Sequence, residues 1–313
     1  MKKSFDKQLS ERLKKVNSVA VIGEAMVEIS DQINELKFSG DSLNTAIYLK
    51  RELNKKEKKV AYFTALGDDP ISDKMIDYMY SEGIATDFIE RRVNLKPGAY
   101  EIHTDKNGER SFQYWRDESA ARTLFSKPNN VGFKDLSKFD LIYLSAISIA
   151  ILPSNIQKDL LDFFSEYQKK GGLIAFDSNY RKDLWKSKRI AKSKVEKYWQ
   201  IVDIALPSVD DEIELFGFEG EEDVIDKLAQ LGVKFGALKR GDKGPYSLSG
   251  GKDDNTYDIV SEVVDTTAAG DSFNGAYLAA LINGLSQQIS LEKGHNLASN
   301  LLQYRGAIIP HDK

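Results

Sequence analysis

Short apolar runs alternate with amphipathic stretches along most of the chain. Ser18–Ile22 (SVAVI) is a continuous apolar run followed by Gly23, the pattern of a strand buried on both faces. Similar runs lie at Val60–Thr64, Leu141–Ser145, Leu173–Phe176, Ile201–Leu206 and Phe235–Leu238. Helical spacing separates them, first over Leu43–Leu53. A second helical stretch starts at Pro153-Ser154 and reaches Lys170, where Gly171-Gly172 stops it. Others cover Ile190–Trp199, Asp223–Leu231, Asp271–Ile282 and Leu291–Tyr304. This alternation predicts βαβ units and a mostly parallel central sheet covered by helices on both faces.

Two stretches break the rhythm. Val27–Phe38 and Tyr100–Arg116 alternate like strands, with a turn signal at Lys106-Asn107-Gly108, and neither has a helix nearby to cover it. They predict a small accessory sheet, formed by insertions at about 24–39 and 97–117, and such a sheet beside the open end of an α/β domain suits a lid. Residues 1–16 predict a polar helical lead-in, a solvated extension. No repeat, low-complexity tract or Pro/Gly-rich linker divides the chain, so 1–313 reads as a single domain.

Composition narrows the chemistry. The 313 residues include 44 Lys+Arg and 48 Asp+Glu, a formal net charge of −4, which argues against a general affinity for nucleic acid. There is no cysteine, so disulfides, thiolate metal sites and cysteine nucleophiles are excluded. The histidines, His103, His295 and His311, are too scattered for a His-rich metal site. The opening residues lack the apolar core of a secretory signal, and no run is long enough to span a membrane. A cytoplasmic protein is the expectation.

The most informative segment is Val264–Leu278, VDTTAAGDSFNGAYL. Small residues lead into an amphipathic helix, where backbone N–H groups and the helix dipole suit an anion. Asp271 at that helix start is placed to take a proton from an attacking hydroxyl, or it caps the helix. There is no G-x-x-x-x-G-K-[ST] loop and no H-R-D motif, so two common phosphoryl-transfer scaffolds are absent.

This segment resembles the D-T-x-G-A-G-D signature of the ribokinase-like (PfkB) sugar kinases. Asp265, Thr266, Ala269, Gly270 and Asp271 match, and Ala268 stands where most members have Gly. A positive φ at that position would strain Ala268. The resemblance extends over nearly the whole chain. Phe38-Ser39-Gly40-Asp41-Ser42-Leu43-Asn44 resembles the family's G-G-x-x-x-N element, with Asp41 or Ser42 also able to cap the following helix. Leu66-Gly67-Asp68-Asp69 resembles its G-x-D segment, read as a turn. Leu238-Lys239-Arg240-Gly241-Asp242-Lys243-Gly244 resembles its K-x-G-x-x-G nucleotide loop, which is equally a tight turn between strands. Pro207–Glu212 aligns with N-x-x-E, with Ser208 for Asn and Asp211 for Glu, and Phe176–Arg181 resembles D-x-N-x-R.

The resemblance implies a ribokinase-like α/β/α fold with a β-sheet lid, ATP and Mg²⁺, and leaves a monovalent cation open. It implies Asp271 as the base, with Ala268, Ala269 and Gly270 steadying the transferred group. Gly40, Asp41, Ser42, Leu43 and Asn44, with Tyr100, Tyr114, Trp115, Arg116 and Arg181, would hold the acceptor. Asn179, Ser208, Lys239, Arg240, Gly241, Asp242, Lys243, Gly244 and His295 would hold the nucleotide, and Asp211 would support the metal through water. His295 has a rival reading as a solvated surface residue.

On an alternating strand Tyr114 and Arg116 share one face and Trp115 takes the other. Arg can hold a carboxylate bidentately, which a neutral sugar does not need; otherwise Arg116 and Arg181 are solvated or pair with Asp117 and Asp183. Together with the Ala268 substitution, these features are similar to the subgroup that phosphorylates the 6-hydroxyl of 2-keto-3-deoxygluconate. A fructokinase-like enzyme and a catalytically silent sugar-acid sensor are the alternatives. The resemblance also implies a homo-oligomer paired through the lid sheet.

Overall fold

The computed structural model describes residues 2–30, 36–54, 57–104, 110–249 and 256–311. The chain begins with α1 (Lys2–Leu13), β1 (Ser18–Ile22), β2 (Met26–Ser30), β3 (Lys37–Ser39) and α2 (Asp41–Glu52). Next come β4 (Lys59–Gly67), α3 (Pro70–Ser81), β5 (Ile89–Arg92), β6 (Gly98–Thr104), β7 (Arg110–Trp115) and α4 (Phe133–Leu136). The middle carries β8 (Leu141–Ser145), α5 (Ala146–Ala150), α6 (Ser154–Lys169), β9 (Leu173–Asp177), α7 (Lys188–Trp199) and β10 (Ile204–Ala205). It ends with α8 (Val209–Phe216), α9 (Glu221–Gln230), β11 (Ala237–Leu238), β12 (Tyr246–Ser247), α10 (Ala269–Ile282) and α11 (Gln287–Leu301).

Six parallel strands form the central sheet in the order β10-β9-β8-β1-β4-β5. Their side chains divide by period two. Val19, Val21, Tyr62, Tyr143 and Ala175 pack with Leu43 and Ile47 of α2 and Tyr277 and Leu278 of α10. Ala20, Ile22, Phe63, Leu144 and Phe176 pack on the other face with Leu160 and Phe164 of α6 and Val195 and Tyr198 of α7. Two apolar faces need two helical covers, which is why these strands read as unbroken apolar runs. The predicted three-layer α/β/α class is the one observed.

The accessory sheet has four strands in the order β3-β2-β6-β7 and is mixed, since β2 and β6 run parallel. The Lys106-Asn107-Gly108 turn lies outside the described residues. The strand expected at Phe235–Leu238 shortens to β11, which bridges β10 at Ala205–Gly236 and then pairs antiparallel with β12.

One expectation needs correction. The N-terminal segment is not a solvated extension, because Leu9, Leu13 and Val16 are buried against the α10 side of the core. Leu9 and Leu13 are four apart and so share one helix face. The Arg12 guanidinium donates to the carbonyls of Gly171 and Gly172 at 3.1 and 3.2 Å, and buried Lys58 donates to the Val16 carbonyl at 2.8 Å. The segment at Gly67–Asp69 also does more than turn. Asp69 accepts from the N–H groups of Ile71 and Ser72 and so caps α3, a helix that Pro70 begins.

Candidate active site

The polar residues of interest gather at the C-terminal edge of the parallel sheet, where open α/β sheets place their ligands. Ser145 ends β8 and Asp177 ends β9; α2 and α10 bring Asp41, Asn44 and Asp271 to the same edge.

Asp271 sits in the first turn of α10, yet it does not cap that helix. Its Oδ2 accepts from Asn44 Nδ2 at 2.9 Å, and α10 has no side-chain cap. The Asp271 carbonyl accepts from Thr45 Oγ1 at 3.3 Å, which ties α10 to α2. Burial, then the charge of Asp41, pushes the Asp271 carboxyl up to about 7; the Asn44 hydrogen bond and Lys239 oppose the shift.

The backbone before Asp271 is strained. Ala268 has φ 61° and ψ 14°, the left-handed region. Its carbonyl still accepts from Ser272 N–H at 2.8 Å, and Ala269 N–H bonds Thr266. The N–H groups of Gly270 and Asp271 take no acceptor among the described residues, as expected of a first helical turn. Gly270 keeps this place uncrowded. A side-chain carbon built on it would stand 3.8 Å from Lys239 Nζ.

Lys239 is the cation of this corner. Its Nζ donates to Asp177 Oδ2 at 2.8 Å and to Asn274 Oδ1 at 3.2 Å. Asn274 Nδ2 in turn donates to Asp177 Oδ2 at 2.6 Å and to Tyr143 Oη at 3.2 Å. Reading the sequence alone gave Asp177 no role beyond its place in the D-x-N-x-R element and missed Asn274. Two signals point to them: Asp177 closes a parallel strand, and Asn274 lies three residues after Asp271, on the same helix face.

The remaining candidates divide by position. Asp41 Oδ2 accepts from Ser145 Oγ and from Asn179 Nδ2, so neither Asp41 nor Ser42 caps α2, whose cap is Gly40. Asn179 thereby meets Asp41, an acceptor-side candidate, in a left-handed backbone with φ 21°. Two acceptor-side candidates do not present side chains to the cleft. Ser42 is fully buried with its hydroxyl on Tyr62 Oη at 2.8 Å, and Leu43 packs in the core, because both face the sheet from the first turn of α2.

The 239–244 loop is a tight turn joining β11 and β12, with Gly241 and Gly244 at positive φ. Arg240 folds back on the Gly244 carbonyl and pairs with Glu221, as Lys243 does; Asp242 is exposed. Tyr257 lies over Gly244 so closely that a side-chain carbon there would stand 2.4 Å from the ring, and Tyr257 also lies 4.9 Å from the half-buried ring of His295. Ser208 caps α8 by accepting from Asp211 N–H at 3.2 Å. Asp211 pairs with Arg181 at 3.3 Å, and its carboxyl is raised by burial despite that arginine.

On the small sheet Tyr100 and Tyr114 face each other across β6 and β7 with ring centroids 5.9 Å apart, and the Arg116 guanidinium lies 5.8 Å from the Tyr114 ring. Trp115 is about half exposed. Tyr100 donates to Glu28. Arg116 is 8% exposed and pairs with Glu24 rather than Asp117, while Arg181 pairs with Asp211 rather than Asp183.

Comparison with known proteins accords with this geometry. The chain is 40% identical, over 94% of its length and 97% of the relative's, to the 2-dehydro-3-deoxygluconokinase of Escherichia coli (strain K12). The crystal structure of the 2-dehydro-3-deoxygluconokinase of Thermotoga maritima superposes with a TM-score of 0.77 at 20% identity, covering 93% of this chain and 95% of that one. Aminoimidazole riboside kinase from Salmonella enterica, complexed with aminoimidazole riboside and an ATP analog, gives the same TM-score at 20% identity, covering 93% and 94%. The model of the pfkB family carbohydrate kinases matches residues 17–313, and the chain belongs to that family.

Proposed function

We propose that this chain transfers the γ-phosphoryl group of ATP to the 6-hydroxyl of 2-keto-3-deoxygluconate, giving 2-keto-3-deoxy-6-phosphogluconate. The observation that carries the reading is Asp271: a carboxyl raised to about 7, oriented by Asn44, beside the open N–H groups of a helix start. The name of the Escherichia coli relative supports the substrate.

In this reading Asp271 takes the proton of the 6-hydroxyl as its oxygen bonds to the γ-phosphorus. The bond to the β-bridging oxygen breaks, and ADP leaves with the electron pair. The N–H groups of Gly270 and Asp271, with the positive end of α10, meet the charge that builds on the transferred group. Lys239 adds a fixed cation beside them and is itself held by Asp177 and Asn274. The 239–244 turn, Tyr257 and His295 wall the nucleotide side.

The donor set fits a magnesium ion that arrives with the nucleotide. Burial and Asp177 disfavour the ionised Asp211 carboxylate, so a nearby cation, reached through water, relieves it. No cluster of three acidic or histidine side chains among the described residues could hold a metal by itself. Mg²⁺ usually keeps waters and binds largely through phosphates. Bound there, it would neutralise charge on the β- and γ-phosphates.

The small sheet acts as a lid that excludes water. Its Arg116, with Tyr114 against the guanidinium, holds the acceptor's carboxylate, and half-exposed Arg181 swings from Asp211 to join it. Exposed Ile29 and Trp115, on the face of this sheet away from Tyr114, suit pairing with a second copy. Among the described residues no helix is long and apolar enough to cross a membrane, which accords with a cytoplasmic enzyme.

The test is ATP consumption with 2-keto-3-deoxygluconate, fructose and ribose side by side. The keto acid should be preferred strongly. A preference for fructose would leave a family kinase and discard the carboxylate clamp, and binding without turnover would make the protein a sensor.

A further inference from the structure

Glu24 lies between β1 and β2, where the small sheet leaves the core, and its side chain has no exposure. Four features converge on it. Its Oε2 takes the Nη2 group of Arg116. Its Oε1 accepts from Ser119 Oγ. Gly98, the first residue of β6, packs so tightly that a side-chain carbon there would stand 2.7 Å from Oε1. Gly40, at φ 151°, lies against the Glu24 carbonyl, where a side-chain carbon would approach to 2.3 Å. Both points where β6 and β7 meet the core therefore close on one carboxylate, and the loop that begins α2 packs on the backbone of the same residue.

Glu24 occupies only part of the Arg116 fork. The Nε of Arg116 is buried and has no hydrogen-bond partner among the described residues. A buried donor left open costs free energy unless something accepts from it. Glu24 does not serve it in this geometry, where its bond to the guanidinium is made at Nη2.

We propose that Glu24 is a positioning residue for acceptor recognition: it holds Nη2 of the Arg116 guanidinium so that the neighbouring Nε is presented to the substrate carboxylate. This rests on the sugar-acid reading above. The charge-assisted bond fixes a side chain that would otherwise sample many rotamers, and a fork fixed in advance loses less freedom when the carboxylate arrives. Ser119 holds the second oxygen and so stops Glu24 from rotating away.

Glu24→Gln tests this without changing volume. A carboxamide has one acceptor oxygen, so either Arg116 or Ser119 would face an NH₂ group. The variant is combined with Arg116→Met in a double-mutant cycle, with KM for 2-keto-3-deoxygluconate and for MgATP as the readouts. Glu24→Gln alone should raise KM for the keto acid about tenfold, the loss of one such contact, and leave KM for MgATP within about twofold. In the Arg116→Met background the same change should alter KM for the keto acid by less than about twofold, because Glu24 acts only through Arg116. Equal effects in both backgrounds would overturn the proposal, since Glu24 would then act independently of Arg116. An unchanged KM for the keto acid in Glu24→Gln would do the same. Wild-type turnover of fructose but not the keto acid would defeat the sugar-acid reading and this one with it; a wild type that prefers the acid, with a silent Glu24→Gln, defeats this one alone.

Discussion

Asp271 and Arg116 stand at opposite ends of the proposed reaction and are held by different parts of the molecule. Asp271 is held by core helices: Asn44 on its carboxylate, Thr45 on its carbonyl, and Lys239 nearby on a network that reaches Tyr143 in the central sheet. Arg116 is held where the small sheet joins the core, by Glu24, which Ser119 holds in turn, with Tyr114 of β7 beside it. The transfer end is thus as rigid as the two layers that build it. The recognition end sits beside a four-stranded sheet that exposes Phe112 on one face and Trp115 on the other. Chemistry shared across a family suits the first arrangement, and acceptor choice suits the second, since a small sheet can change without disturbing the core.

Separate loss of the two functions would sharpen that division. Asp271→Asn should lower kcat by about 10²- to 10⁴-fold, the usual worth of a general base, and leave both KM values within a few-fold. A kcat close to wild type would remove Asp271 from that role. Arg116→Ala should do the reverse, raising KM for the sugar acid about 10- to 150-fold with little change for MgATP, as expected for loss of a charged hydrogen bond. Equal changes for both substrates would break the comparison.

The acid side of the pH profile adds a finer probe. Asp271 is active when ionised, so kcat/KM should fall as pH drops through about 7. Lys239 holds that pKa down, and Lys239→Met should move the acid limb to higher pH. An unmoved limb would mean that Asp271 does not feel this cation. The sign for stability is opposite to that for activity. A carboxyl whose folded pKa is raised gives the fold an advantage below its unfolded value, and that advantage is lost as pH rises through the folded one. Asp271→Asn should therefore melt higher than the wild type at pH 8 and much the same at pH 4.

The smallest expected effect concerns Ala268. Relieving its left-handed backbone with Ala268→Gly should add about 1 kcal/mol of stability in denaturant unfolding, with KM unchanged. Destabilisation would mean that the site does not strain this residue.

Much of the transfer end was legible from local pattern. The DTTAAGD segment is continuous, so a run of small residues before an acid at a helix start could be read without tertiary information. Lys239 was also visible, but only as part of a turn. Its proximity to Gly270 and Asp177 depends on β11 lying beside β10, a pairing of Ala205 with Gly236 that no local pattern encodes. The capping readings of Asp41, Ser42 and Asp271 failed for one reason: each side chain found a partner from a distant element in place of its own helix N–H groups. α1 misled because most of its residues are polar, and the few that dock, Leu9 and Leu13, make a stripe only one residue wide.

By itself the sequence determined the layers and the signature loop, since period-two burial, helical spacing and a run of small residues are properties of neighbouring positions. Tertiary structure alone decided which charges meet. Glu24 with Arg116, Asp177 with Lys239 and Asn44 with Asp271 are separated by 92, 62 and 227 positions along the chain. Such pairs form only when packing of the apolar faces has brought their strands and helices to one edge of the sheet. Burial there then makes each polar group depend on the partner that the fold supplies.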